Sequence, residues 1–240
     1  SISDSSTYTF LSAKTMFDTF EGNADGCYLY SRHSTPSNLY LGQALAAMEG
    51  TETANVAASG MGAITPAILQ LCKAGDHIVS SQNLYGGSHN MMSFTMPRFG
   101  ISTTFVDPHD PKNFLDAVNE DTKLFYAEVL GNPGIEVLDI EAIANAAHSI
   151  GIPLVVDSTF ATPYLIRPIE HGADVVIHSL TKFLGGHGIA IGGVVVDGGR
   201  WWPGINPWHP IWGLIYWLVA STDCHFSRLC SSASGADSRS

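Results

Sequence analysis

Residues 153–179 read "PLVVDSTFATPYLIRPIEHGADVVIHS". Two short β-branched runs, "PLVVDS" at 153–158 and "ADVVIHS" at 173–179, lie either side of a segment long enough to cross from one strand to a parallel neighbour. Neither run alternates apolar with polar residues. Each therefore predicts a strand buried on both faces, as in a mostly parallel sheet covered by helices. Polar groups gather where the runs stop: Asp157 in the first, Ser179 in the second.

Outward from this pair, the same texture recurs. Strands are predicted at 54–59, 77–81, 102–106, 123–130 and 192–197, which with the first two makes a seven-stranded sheet. Helices are predicted at 64–75, ended by Gly75, and at 138–151, with Asp139 as N-cap and Gly151 as stop. The reading gives three segments. Residues 1–35 form an aperiodic arm suited to a neighbouring subunit, 36–199 form the large α/β domain, and 200–240 form an aberrant tail. All five tryptophans fall in that tail, between Trp201 and Trp217.

Bulk properties fit a globular enzyme. The 240 residues carry a formal net charge of -11 with 11 basic residues and no basic cluster, which argues against nucleic acid and anionic membranes. The four cysteines have neither CxxC spacing nor a disulfide pattern, so no metal site is expected and a reducing cytoplasm is the default. No signal peptide is read at the N-terminus, and the apolar run 211–220 is about half of the ~20 residues a spanning helix needs.

In a parallel α/β sheet, ligands bind beyond the carboxyl ends of the strands. Three clusters fall at such ends. "SGMGAI" at 59–64 opens a helix at Gly60, Met61 and Gly62, whose free N–H groups would hold a phosphate; a tight turn needing small residues is the alternative. Asp157 would be costly to bury unless paired with a cation, or else it caps the next segment. Ser179 and Thr181 offer hydroxyls to a phosphate beside Lys182, one of five lysines in the chain. Such a lysine, if desolvated, becomes nucleophilic and suits Schiff-base formation; the alternative is a surface lysine. Together the three clusters match what pyridoxal 5'-phosphate requires: anion anchoring, a partner for a protonated ring nitrogen, and a covalent link.

The stretches "YSRHSTPSN", "ASGMGAI", "SSQNLYGGSHN", "EVLGNP", "VVDSTFATPYLIRPIEHGADVVIHSLTKFLGGHG" and "IGGVVVDGG" resemble, in order from Tyr28 to Gly199, the pyridoxal-phosphate enzymes of cysteine and methionine metabolism. Within that group "GNP" and "FATPYLIRPIEHGAD" are most similar to the O-acetylhomoserine sulfhydrylases. The resemblance implies an aminotransferase-like large domain of fold type I. It also implies that Lys182 carries the cofactor, Asp157 meets its ring nitrogen, and Ser179, Thr181, Gly60 and Met61 hold its phosphate. Tyr85 would stack on the ring and assist proton transfer, and Asn132 would lie near the ring hydroxyl. Tyr30 and Arg32 would reach the phosphate of a neighbouring subunit, in a homodimer or homotetramer.

The activity so implied is γ-replacement on O-acetylhomoserine by sulfide or a thiol, in cytoplasmic amino-acid biosynthesis and transsulfuration. A γ-elimination lyase is one alternative, since the lyases share nearly every cofactor contact; an inactive cofactor-binding fragment is the other, on the expectation that the smaller C-terminal domain of the family is missing. "RHSTPSN" also departs from the "R-x-x-N-P-T" pattern, and a shifted reading frame is the expectation after Gly199. A dinucleotide-binding reading of "GMGAIT" ranks behind, since Thr65 stands where a third glycine belongs.

Overall fold

The computed structural model describes residues 2–21, 23, 26–32 and 35–199, so the tail 200–240 lies outside the described residues. These fall into two units that divide between Tyr40 and Leu41.

In the first unit the arm is not aperiodic throughout. Helix α1 (Ala13–Phe20) starts where the Ser12 side chain accepts from the Thr15 N–H, an N-cap that the sequence pattern did not suggest. Thr7 and Tyr30 form an isolated antiparallel bridge. The Arg32 guanidinium lies 4.9 Å from the centroid of the Tyr30 ring, a cation–π contact that holds the two side chains together. Helix α2 (Pro36–Glu49) runs across the division.

The second unit is built on seven strands: β1 (Thr53–Ala57), β2 (His77–Ser81), β3 (Ser102–Val106), β4 (Thr122–Glu128), β5 (Leu154–Asp157), β6 (Val175–Ser179) and β7 (Gly193–Asp197). Their order is β1-β7-β6-β5-β4-β2-β3. All neighbouring pairs are parallel except those of β7, which runs antiparallel to both β1 and β6. The sheet is thus mostly parallel, with one reversed strand. β2, β5 and β7 are buried along their whole length, which is why they carry no polar alternation; β3, at the edge, is partly exposed.

Helices cover both faces. α3 (Gly60–Leu71) lies on β1, β6 and β7, and Ile68 is fully buried there, a contribution of roughly 1.5–3 kcal/mol. On the opposite face α5 (Pro111–Asp116) and α6 (Ile140–Ser149) bring Phe114, Ile143 and Ala147 against Phe125, Val156 and Val176. Two short helices, α4 (Gly86–Asn90) and α7 (Thr162–Leu165), complete the described set, α4 continuing into a π-helical turn at Met91–Thr95. As expected, the Asp139 side chain caps α6 by accepting from Ala142, and Gly151 beyond its end has φ +76°.

α3 departs from the expectation. It starts at Gly60 and stops at Leu71, where Cys72 turns extended, so β1 ends at Ala57 and Ser59 caps the helix. Gly75, at φ +97°, instead serves the next turn, where its N–H donates to the Gly100 carbonyl. The glycine marked a turn correctly and the helix end wrongly.

Candidate active site

Because β5 and β6 are parallel and β7 reversed, the carboxyl ends of β5 and β6, the start of β7 and the end of β1 share one edge of the sheet. Register places Ser179 and Ala57 on either side of Gly193, and Glu128 beside Asp157. Most residues singled out from the sequence sit along this edge.

At one end, α3 begins against the last residue of β6. A Cβ on Gly60 would lie 2.7 Å from Ser179 Cβ, so only glycine allows the helix to start there. The Ser59 hydroxyl and carbonyl already serve the N–H groups of Gly62 and Ala63. The first two N–H groups of the helix, at Gly60 and Met61, therefore remain without an intrahelical acceptor, beside the Ser179 side chain. Backbone donors beside a hydroxyl are an arrangement that suits an anion. Thr181 differs: its hydroxyl donates to the Gly192 carbonyl and accepts from the Gly192 N–H, both at 3.2 Å, so its donor is engaged within the loop.

Asp157 ends β5 and is buried. Burial raises the pKa of its carboxyl, opposed by hydrogen bonds from Thr159 and by the nearby His178 ring. Its Oδ1 accepts from the Thr159 N–H at 2.9 Å, and the Thr159 hydroxyl accepts from the Ser179 N–H at 2.8 Å. One threonine thus links the carboxylate to Ser179, beside the start of α3. His178, on β6 itself, lies between Glu49 and the Ser158 carbonyl, fully buried with both ring nitrogens engaged.

Lys182 follows β6 in a turn rather than a helix. Its N–H donates to Ser179, its carbonyl accepts from Gly186, and its side chain is exposed. Among the described residues it forms no ion pair.

Tyr85 precedes α4, half exposed, with its ring folded over Gly87, where a Cβ would meet ring carbon Cε1 at 2.4 Å. Its N–H donates to Glu128 Oε1 at 2.7 Å. Asn132 is joined to Pro133 by a cis peptide, and its N–H donates to the Asn83 carbonyl at 3.2 Å. Tyr30 and Arg32 belong to the first unit, where their side chains hold each other.

A connected series therefore runs Tyr85, Glu128, Asp157, Thr159, Ser179, Gly60. Glu128 and Thr159 were not singled out from the sequence. For Glu128 the signal existed: a lone carboxylate in the apolar run "KLFYAEVL" raises the same question as Asp157 in "PLVVDS". Burial, then the charge of Asp157, pushes Glu128 up to about 8. The hydroxyl of Thr159 acts through backbone geometry, which a single sequence does not display.

The arrangement fits pyridoxal phosphate. Free N–H donors with a hydroxyl suit the phosphate, and a buried carboxylate with few donors of its own suits a protonated ring nitrogen.

A family model described as Cys/Met metabolism PLP-dependent enzyme matches residues 1–213, past Gly199. O-acetyl-L-homoserine sulfhydrylase of Leptospira meyeri is 49% identical over 171 residues, covering 71% of this chain and 39% of that protein. L-methionine gamma-lyase of Porphyromonas gingivalis is 42% identical over 196 residues, covering 81% and 49%. A crystal structure assigned as an O-acetylhomoserine (thiol)-lyase of Campylobacter jejuni, with a pyridoxyl-lysine phosphate residue, is similar with a TM-score of 0.77 and 36% identity, over 80% of this chain and 48% of that one. The chain spans less than half the length of these relatives.

Proposed function

Since the chain belongs to the Cys/Met metabolism PLP-dependent enzymes, we propose that the protein it forms carries out γ-replacement on O-acetylhomoserine, exchanging acetate for sulfide or a thiol to give homocysteine or methionine. The observation that carries the reading is the registered edge on which buried Asp157, Ser179 and the open start of α3 are tied together through Thr159. Pyridoxal phosphate, when bound, supplies an electron sink for carbanion chemistry at the substrate.

The residues divide the remaining work. Gly60, Met61 and Ser179, with Thr181 beside them, hold the phosphate, while Asp157 keeps a proton on the ring nitrogen by supplying its counter-charge. Lys182 is the link to the cofactor and, released by substrate, the base that takes the α proton. Tyr85 covers the ring and handles protons near it; Asn132 orients the ring hydroxyl. Tyr30 and Arg32 serve the phosphate of a second copy, in a homodimer or homotetramer working in the cytoplasm, within transsulfuration. Among the described residues, no helix is long and apolar enough to cross a membrane.

Similarity to the methionine γ-lyase favours a second reading, elimination without replacement. Purified protein supplied with cofactor decides between them. Homocysteine formed from O-acetylhomoserine and sulfide supports replacement; a thiol, 2-oxobutanoate and ammonia released from methionine support elimination. Neither product would leave a cofactor-binding chain without turnover and overturn both.

A further inference from the structure

Glu128 takes part in none of these roles, yet it joins two residues that do. It ends β4 directly beside Asp157 on β5, and its Oε1 receives the Tyr85 N–H at 2.7 Å. Its side chain is buried, with 7% of the residue exposed. Around it stand Asp157 from β5, the buried Tyr126 hydroxyl from its own strand, and Tyr85 from the turn before α4. Glu128 also lines a cavity of about 10 Å³ together with His109 and Glu136. Gly131 and Gly134 lie close under the Glu136 carboxylate, which brings a further negative charge to that cavity.

We propose that Glu128 is a positioning residue of this site, which fixes the Tyr85 turn through one carboxyl oxygen and shares a single negative charge with Asp157 by standing beside it in register. The inference rests on the reading that Asp157 serves the cofactor ring.

The physical case is one of unequal neighbours. Two carboxyls at adjacent buried strand ends do not both ionise cheaply, so a proton stays with the less supported one. Burial raises Asp157 as well, but hydrogen bonds from Thr159 and the nearby His178 ring oppose it. Glu128 has one backbone donor against burial and the charge of Asp157. The His109 ring is engaged through Nδ1 with the Asp107 carboxylate, which raises its pKa, and is not directed at Glu128. The proton therefore rests on Glu128 near neutral pH and the charge on Asp157, where a cationic ring nitrogen would need it. In this state Glu128 still accepts from Tyr85 with Oε1, so the turn is held whichever way the pair titrates.

The test follows glutamate side-chain carboxyls by ¹³C NMR in labelled wild-type protein without cofactor, then in E128Q and D157N. One glutamate should titrate with a midpoint near pH 8. It should be missing in E128Q and move down by about one pH unit or more in D157N, since a neighbouring like charge has gone. A spectrum with every glutamate titrating in the ordinary acid range, or a high midpoint unmoved in D157N, overturns the inference. The wild-type and D157N arms decide this even if E128Q does not fold.

In the cofactor-loaded protein, E128Q keeps the oxygen that Tyr85 needs and mimics the protonated acid, so kcat at pH 7 stays within about threefold. E128A drops it, with KM little changed, by ~10-fold or more, as a displaced ring group costs. Equal kcat in E128A and wild type overturns the positioning role. Cofactor affinity in D157N equal to wild type sinks the reading of Asp157 instead and leaves the titration result standing.

Discussion

Asp157 and Lys182 occupy opposite extremes of environment, one buried at a strand end and the other exposed in a turn. Their variants should fail differently. Lys182→Ala is expected to fold normally and to abolish capture of cofactor by borohydride, with turnover down by ~10²–10⁴-fold; peptide mapping of the reduced wild-type protein should put the label on Lys182. Label on any other lysine refutes its role as the cofactor link. Asp157→Asn removes a charge in a buried place, so it should fold as well as wild type or better, yet hold the cofactor less tightly. Equilibrium binding followed by visible absorbance, beside thermal melting, separates the two effects.

The start of α3 is where element and site coincide. Gly60→Ala pushes a methyl group into Ser179, an overpacking that costs typically 1–3 kcal/mol, and should both lower Tm and weaken phosphate binding. Asp139→Ala is the matching change away from the site: it removes the α6 cap, costs about 1 kcal/mol, and should leave cofactor affinity untouched. If both variants lose affinity equally, the packing at Gly60 has no special link to the anion site. The sheet was legible from the sequence for a physical reason: β2 and β4 through β7, buried on both faces, cannot hide their composition, and all seven strands appear within a few residues of the expected places. The Asp139 cap was legible too, because side chain and helix are neighbours in sequence. α1 and the true bounds of α3 were not, since a serine cap and a glycine-led start are weak local signals. Glu128 beside Asp157, and Thr159 beneath Ser179, depend on strand register, which local patterns do not specify.

At the scale of the whole molecule, buried carboxyls govern the response to pH. Burial, first of all, raises Glu128 from 4.5 to about 8 and Asp197 from 3.8 to about 6. A carboxyl whose folded pKa is raised binds more protons folded than unfolded between those two values. Stability therefore falls as pH rises through the window, from about 4 to about 6 for Asp197 and on to about 8 for Glu128, at about 1.4 kcal/mol per pH unit for each group at most. Urea unfolding at pH 5, 6.5 and 8 should show that decline. E128Q should flatten its upper part, between pH 6.5 and 8, and a wild-type slope in E128Q would show that other groups are responsible.

The reversed strand β7 has a consequence for how the protein is made. Thr53 at one end of β1 pairs with Asp197, roughly 140 residues later in the chain, and among the described residues β1 has no other strand neighbour. During synthesis at about 5–20 residues per second, β1 and the start of α3 wait roughly 7–30 s for the strand that receives them. β2 through β6 can pair meanwhile. The β1 end of the described sheet, though encoded early, is therefore the last part of it to close on the ribosome, and a nascent chain halted before residue 193 would present β1 as an unpaired edge open to chaperones or to other chains.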